Sequence, residues 1–151
     1  MPVQPIPPGH PRVTPYLCLV DATRALAWYC EAFGAEETMR IPGPGGTVMH
    51  GEIRIGTSVV MLGEQSPGYG AFGPGHFGGT PVSVVLYVED ADEVAARAVA
   101  AGATLERPVA DQPYGDRMGT ILDPFGHRWH LATHVEDVSP EEIVRRMSGA
   151  G

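Results

Sequence analysis

Cysteine and basic residues are both scarce in this sequence, and each shortage excludes a class of protein. The 151 residues include 2 cysteines, Cys18 and Cys30, in no Cys-x-x-Cys arrangement, so neither a disulfide framework nor a zinc knuckle is expected. The 10 Lys and Arg stand against 18 Asp and Glu, for a formal net charge of -8. Because nucleic-acid binding needs clustered basic side chains, the charge predicts no nucleic-acid partner.

Long apolar runs are also missing, so no segment is expected to cross a membrane. Residues 1–11 are rich in proline and lack the apolar stretch of a signal peptide, which favours an N-terminal tail and a cytoplasmic protein. The apolar fraction of 43% is ordinary for a globular chain, and the length suits one domain.

The most informative feature that is present is an internal repeat. Val20-Asp21, a helix-like run and Phe33-Gly34-Ala35 return as Glu89-Asp90, a second helix-like run and Ala101-Gly102-Ala103. The paired segments lie about 69 positions apart, which indicates duplication of a whole structural unit. A duplicated unit often buries one face against its copy, and the seam between copies is a natural place for a ligand.

Each copy is predicted to be a βαβββ unit. In the first unit, Asp21 caps a helix that ends at Phe33 before Gly34. In the second, Asp90 and Glu93 have capping-box spacing at the start of a helix over 92–101. Strands are predicted over 13–20, 36–41, 49–55 and 58–62, and again over 82–88, 105–109, 117–122 and 128–133, and residues 49–55 alternate well between apolar and polar.

The two units, 12–63 and 82–134, are expected to form a single domain over 12–147, with a closing helix over 139–147 that Ser139-Pro140 begins. A Gly- and Pro-rich connector over 64–81 joins them. Its Gly68–Gly73 segment matches G-x-G-x-x-G, but Gly73-Pro74-Gly75 cannot open a helix, so a dinucleotide site is rejected. A mobile connector or lid is favoured instead.

Several motifs then resemble one superfamily over positions 12–147. They are Trp28-Tyr29, Val48-Met49-His50, Gly56 to Leu62, Tyr114-Gly115-Asp116-Arg117 and Asp123-Pro124-Phe125-Gly126-His127. The sequence resembles the vicinal oxygen chelate superfamily of glyoxalases, bleomycin-resistance proteins and extradiol dioxygenases, in the small bacterial glyoxalase-like branch related to phosphonate-cluster proteins. That resemblance implies an α+β fold in which two tandem βαβββ units form an open, cup-like barrel.

The resemblance also implies where a metal would bind. The metal enzymes of the superfamily place one ligand, usually His or Glu, on each of four inward-facing strands. The corresponding positions here are Thr14, Met61, Ser83 and His130. Hydroxyls and a thioether are weak ligands for a divalent ion, so no cofactor is expected. A rearranged metal site formed by His50, Glu52 and His130 is kept as an alternative.

Candidate catalytic residues are His50, Glu52 and His130. His50 and Glu52 lie on one face of a strand, about 6.6 Å apart by strand rise, and Arg54 extends the polar row. The alternatives are a solvated sheet face for this row and a pocket-wall histidine for His130. His130 and His134 are about 13 Å apart on a strand, too far to share an ion.

The remaining candidates are ligand-binding residues. Tyr16 and Tyr87 share strand faces with Thr14 and Ser83, so they are expected to line a pocket. Tyr114 and Arg117 come from a loop that enters a strand. An Asp116–Arg117 pair could hold this turn, or Arg117 could anchor an anionic substrate.

Two functions follow from these residues. The first is a metal-independent protein that binds a small molecule in the cavity between the units, as a sequestering protein would. The second is a lyase, isomerase or dioxygenase-like enzyme that uses a rearranged metal or His/Glu acid–base groups. A homodimer is expected in either case, because members of the superfamily often complete their pockets by pairing.

Overall fold

The computed structural model describes residues 2–149, so Met1 of the expected tail lies outside the described residues. The described chain divides into two compact units, with the boundary between Gly79 and Thr80, inside the expected connector. Each unit contains one four-stranded mixed sheet that remains open. Together with the helices, these sheets confirm the predicted α+β fold of two βαβββ units.

The first unit has the strand order β1-β4-β3-β2. Its elements are β1 (Tyr16–Leu19), α1 (Ala22–Phe33), β2 (Glu36–Pro42), β3 (Val48–Ile55) and β4 (Ser58–Glu64). Strand β1 runs parallel to β4, whereas β3 is antiparallel to both β4 and β2. The first strand begins later than predicted, at Tyr16, because Pro15 has no N–H to donate to a ladder.

The second unit repeats this order as β5-β8-β7-β6. Its elements are β5 (Ser83–Tyr87), α2 (Ala91–Ala100), β6 (Thr104–Asp111), β7 (Asp116–Leu122), β8 (Arg128–His134) and α3 (Pro140–Met147). Strand β5 again runs parallel to the last strand of its unit. The shared topology is what a duplication predicts.

Capping residues near the predicted helix ends account for where the helices begin and end. The Asp21 carboxylate accepts a hydrogen bond from the backbone N–H of Arg24 at 3.0 Å, and Gly34 ends α1 in the left-handed conformation with φ 66°. Asp90 likewise accepts from the Glu93 N–H at 3.1 Å. These side chains satisfy amide groups that have no partner inside the helix.

The core lies between each sheet and its helix. The largest fully buried side chains include Leu19, Leu26, Tyr29, Ile53 and Leu62 in the first unit, and Ile121, Trp129 and Leu131 in the second. Residues alternate between the two faces of a strand, so each sheet also has a face directed away from its helix. We call these the first and second open faces.

The β7–β8 turn is held by a buried carboxylate. Asp123 accepts hydrogen bonds from the backbone N–H groups of Phe125 at 2.9 Å and His127 at 3.0 Å. Its second oxygen accepts from the indole N–H of Trp129 at 2.9 Å. Trp129 is fully buried, so this contact fixes the start of β8 and leaves His130 on the opposite face of the strand.

The connector contains short 3-10 helices at Pro67–Tyr69 and Pro74–Phe77. The expectation that Gly73-Pro74-Gly75 cannot open a helix is wrong for this short element, because Pro74 is the first residue of a 3-10 helix that ends at Phe77. The ring of Phe72 stacks on His76 with centroids 3.7 Å apart. Among the described residues, no helix has the length and apolar character that a membrane crossing needs.

Candidate functional site

The central row of each open face is defined by strand register, because directly paired residues project on the same face. In the first sheet this row consists of Tyr16, Met61, Glu52 and Met39. In the second sheet the equivalent row consists of Val85, His130, Thr120 and Arg107. The duplicated scaffold therefore presents a carboxylate between thioethers in one unit, and His, Thr and Arg in the other.

In the first unit, hydrogen bonds and close contacts join four side chains into a chain. The Tyr16 hydroxyl lies 3.1 Å from Nδ1 of His50, and Nε2 of His50 lies 3.4 Å from Oε1 of Glu52. Nε2 of His10, from the N-terminal segment, lies 3.4 Å from the same oxygen. The structure thus brings together the predicted residues Tyr16, His50 and Glu52, and adds His10.

Glu52 is 6% exposed although it lies on an open face. Burial of a carboxylate is costly unless hydrogen bonds or charges compensate it, and both histidines approach Oε1. Burial also raises the pKa of Tyr16, with a further contribution from Cys18. Its hydroxyl therefore keeps its proton at neutral pH and can donate to His50.

A glycine makes the Tyr16–His50 contact possible. A Cβ atom on Gly63 would lie 2.7 Å from the Tyr16 hydroxyl and 2.6 Å from the carbonyl oxygen of Met49. Both distances are shorter than real Cβ contacts. Gly63 therefore leaves the space across β4 through which the tyrosine reaches β3.

In the second unit, His130 is held by a side chain of the neighbouring strand. Its Nδ1 lies 2.7 Å from the Thr120 hydroxyl. A cavity of ≈ 550 Å³ opens beside Thr120, and its lining consists of Arg107, Pro108, Gln112, Pro113, Tyr114, Met118, Thr120 and Met147. Helix α3 supplies Met147, and Arg146 ties that helix to the Pro113 carbonyl at 3.2 Å.

A second polar network of this unit centres on Asp116, which is 6% exposed. Its carboxylate accepts from the Tyr87 hydroxyl at 2.7 Å and lies 2.8 Å from Nδ1 of His134. Burial alone would raise the pKa of Asp116, but hydrogen bonds from His134 and Tyr87 lower it below its usual range. The hydrogen bond to Asp116 in turn raises the pKa of Tyr87.

Arg117 does not lie with the other candidates. It pairs with Asp92 of α2 at 2.6 Å and with Asp111 at 3.2 Å, on the helix side of β7. The expected Asp116–Arg117 pair is therefore wrong, because adjacent strand residues project to opposite faces. Asp116 bonds to Tyr87 and His134 instead.

The resemblance implies that Thr14, Met61, Ser83 and His130 are the four positions at which a metal would bind. Ser83 lies in β5 and Met61 in β4, where they offer a hydroxyl and a thioether. Such groups bind divalent ions weakly. Among residues 2–149, no group of three His, Cys, Asp or Glu side chains could hold a metal ion.

Sequence reasoning missed three contributors to these open faces. The sequence predicts His10 in a tail, and no local pattern indicates that it reaches Glu52. Arg107 faces Thr120 only because the register of β6 shifts on both sides of it, which periodicity could not show. The predicted strand starts at 117 and leaves Asp116 in the preceding turn, although the spacing of Asp116 from Met118 and Thr120 is typical of one strand face.

Two βαβββ units of identical topology, each with polar and aromatic side chains on an open face, define a protein of the glyoxalase fold class. The chain belongs to the glyoxalase/bleomycin resistance protein/dioxygenase superfamily, whose family model matches residues 12–131. This match confirms the resemblance seen in the sequence motifs.

Individual relatives agree with this assignment. An uncharacterized protein of Mycobacterium bovis is 42% identical over 145 residues, covering 94% of this chain and 95% of the relative. The crystal structure of TioX from a Micromonospora species is 30% identical, with a TM-score of 0.66 over 83% of this chain and 99% of TioX. A glyoxalase/bleomycin resistance protein/dioxygenase from Nocardioides shares the fold, at 20% identity and a TM-score of 0.60 over 86% of this chain and 88% of that one.

Proposed function

We propose that the protein binds a small organic molecule on its second open face, without the metal of the superfamily's enzymes. The observation that carries the proposal is the ≈ 550 Å³ cavity beside Thr120. Small-molecule sites typically measure about 300–1,000 Å³ and combine apolar walls with a few polar groups. Here Met118 and Met147 form apolar wall, and Tyr114 and Thr120 supply hydroxyls.

A second cavity of similar size, ≈ 580 Å³, lies between α2 and β6. Its lining is Ala, Val, Leu and Pro apart from Asp92, and that carboxylate is already paired with Arg117. Because specific ligand sites need convergent polar groups, the cavity beside Thr120 is the better candidate.

A blocking substitution tests the proposal. Met118→Trp places a bulky ring in the cavity, while Met49→Trp adds the same ring at a position of the first unit that is 58% exposed. A library of metabolites and natural products would be screened by thermal shift against the wild-type protein. Ligands found in this way should lose affinity for Met118→Trp and keep it for Met49→Trp. Equal binding to both variants would refute the site.

A specific observation favours a second candidate function, an acid–base enzyme. The contacts from Tyr16 through His50 to Glu52 are the arrangement that a positioned proton-transfer group needs. If such an enzyme turns over a substrate, His50→Ala should lower kcat by about 10²–10⁴-fold. A binding protein should lose only modest affinity on the same change. Turnover that depends on an added divalent ion would refute the metal-independent function.

We also propose that the protein forms a homodimer. Large apolar side chains on the open-face registers, including Ile41, Val85 and Tyr87, are exposed in the single chain, and a second copy would cover such surface. Sedimentation velocity should show a dimer for the wild-type protein and a monomer for Val85→Lys. A wild-type protein that remains monomeric at high micromolar concentration would contradict the proposal.

A further inference from the structure

We infer that the ligand of the cavity beside Thr120 is an organic anion, a small carboxylic acid with an apolar body, and that Arg107 binds its carboxylate. This inference rests on the proposed small-molecule function and narrows it to one chemical class. It depends on three features of the second unit, namely the ion pairs of its arginines, the side chains that line the cavity and the irregular register of β6.

Every arginine of residues 80–149 except Arg107 forms an ion pair with a carboxylate of the same range. The pairs of the others are Arg97 with Glu93, Arg117 with Asp92 and Asp111, Arg128 with Glu106, Arg145 with Glu142, and Arg146 with Glu136 and Glu142. A guanidinium keeps its charge at all accessible pH values. Arg107 therefore presents a positive charge that no carboxylate pairs with directly, and Glu106 interacts with it only at longer range.

The carboxylates near Arg107 in sequence are already engaged. The Glu106 carboxylate accepts hydrogen bonds from Nε of Arg128 at 2.7 Å and from its Nη2 at 3.3 Å. These hydrogen bonds hold the pKa of Glu106 below its usual range. Asp111 pairs with Arg117. Among residues 2–149, no Asp or Glu lines the cavity. The only formal charge that these residues bring to the cavity wall is thus positive, in a chain whose net charge is -8.

The backbone presents Arg107 to the cavity through an irregular strand. The register of β6 against β7 shifts between Leu105 and Arg107 and again between Arg107 and Ala110. Gly119 allows the close approach of the two strands, because a Cβ atom there would lie 2.7 Å from Cγ2 of Val109 and 3.1 Å from the Arg107 carbonyl oxygen. The irregularity pairs Arg107 directly with Thr120.

The neighbouring groups suit an acid with an apolar body. The Tyr114 hydroxyl donates to Sδ of Met118 at 3.7 Å, and because a thioether is a weak acceptor, a carboxylate would compete well for this donor. Burial raises the pKa of Tyr114, so the hydroxyl keeps its proton. Arginine binds carboxylates through two parallel N–H bonds, while Met118 and Met147 can pack on irregular apolar groups.

The test compares matched probes that differ only in charge. Benzoate, phenylacetate and cinnamate, with their primary amides and the corresponding amines, would be titrated into full-length protein carrying ¹³C-methyl methionine. The methyl signals of Met118 and Met147 report binding in the cavity. The acids should bind about 10-fold or more tightly than their amides, since hydrogen bonds between charged groups contribute about that factor or more.

Arginine variants assign this preference to one side chain. Arg107→Gln should weaken binding of the acids by about 10- to 100-fold and leave the amides within about 2-fold. Arg107→Lys keeps the charge and should give an intermediate loss, because lysine lacks the two-pronged donor geometry. Arg97→Gln removes the same charge from an exposed position of α2 and should have no effect. Unchanged melting temperatures would show that the variants are folded.

The outcomes separate this inference from the proposed function. If amides and acids shift the two methyl signals with equal affinity, or if Arg107→Gln binds acids normally, the anionic class is wrong and the cavity still binds small molecules. Tighter binding of the amines would likewise overturn the anionic class. If no probe of any series shifts either methyl signal, both this inference and the proposed binding site are overturned.

Discussion

The space above Gly63 gives the sharpest prediction about the first open face. Replacing Gly63 by alanine introduces one Cβ atom, 2.6 Å from the Met49 carbonyl oxygen and 2.7 Å from the Tyr16 hydroxyl. The first neighbour is backbone near the start of β3, two residues before the β3–β4 ladder begins at Gly51 and Leu62, so it can move only if this end of β3 moves. The second is the end of a rigid aromatic ring, so we expect Tyr16 to rotate away from His50.

The magnitude follows from these two contacts. Overpacking by one methyl group against fixed neighbours costs about 1–3 kcal/mol. Loss of the Tyr16–His50 hydrogen bond adds about 0.5 kcal/mol, at the low end of the usual range, because Tyr16 is 53% exposed. Gly63→Ala should therefore lower the free energy of unfolding by about 1.5–3.5 kcal/mol.

A double-mutant cycle with Tyr16→Phe assigns part of this cost to the hydroxyl. Tyr16→Phe alone removes one exposed hydrogen bond and should cost about 0.5 kcal/mol. In the Tyr16→Phe background, Gly63→Ala meets only the Met49 carbonyl, so its cost should fall by about 1 kcal/mol. Urea unfolding of all four proteins measures the coupling, and ¹⁵N shifts of the His50 ring report its hydrogen bond. Additive costs with an unchanged His50 ring would refute the reasoning.

Three further predictions concern the second unit. Asp123→Ala removes the carboxylate that accepts from three N–H donors, including the buried Trp129 indole. We expect the free energy of unfolding, measured with urea, to fall by about 3 kcal/mol or more. A near-wild-type midpoint would contradict this prediction. The hydrogen bond to Asp116 raises the pKa of His134, so its stabilising effect is present below pH of about 6.5 and is lost as the pH rises through the raised value. The difference in urea midpoint between wild type and His134→Gln should therefore shrink as the pH rises, and a pH-independent difference would argue against this. Ser139→Ala removes the cap of α3 and should cost about 1 kcal/mol of helix stability, seen as faster amide exchange in α3 with unchanged exchange in α2.

Much of the fold could be predicted because its signals are local or repeated. Asp21 and Gly34 bound α1 through bonds within the first and last turn, which a reader of the sequence can locate. The repeat of about 69 residues implies two units of one topology. The strand that contains His50 and Glu52 was also placed correctly, because its apolar and polar residues alternate.

The partners of the site residues could not be predicted in the same way. His10 meets Glu52 across 42 positions of sequence, and Arg117 meets Asp92 across 25. Such pairs depend on strand register and on the path of a segment without regular structure. A pattern of residue types contains neither, so the sequence left an Asp116–Arg117 pair and an anion-binding Arg117 as alternatives and did not indicate Asp92.

By itself, the sequence determined the two βαβββ units and their helix ends, because each depends on residue type at a local or repeated spacing. Only the tertiary structure decided which side chains of different strands meet on an open face. The register shifts of β6 bring Arg107 opposite Thr120, and the absence of a side chain on Gly63 lets Tyr16 reach His50. Both depend on how strands pack side by side, and that geometry arises only when distant parts of the chain meet.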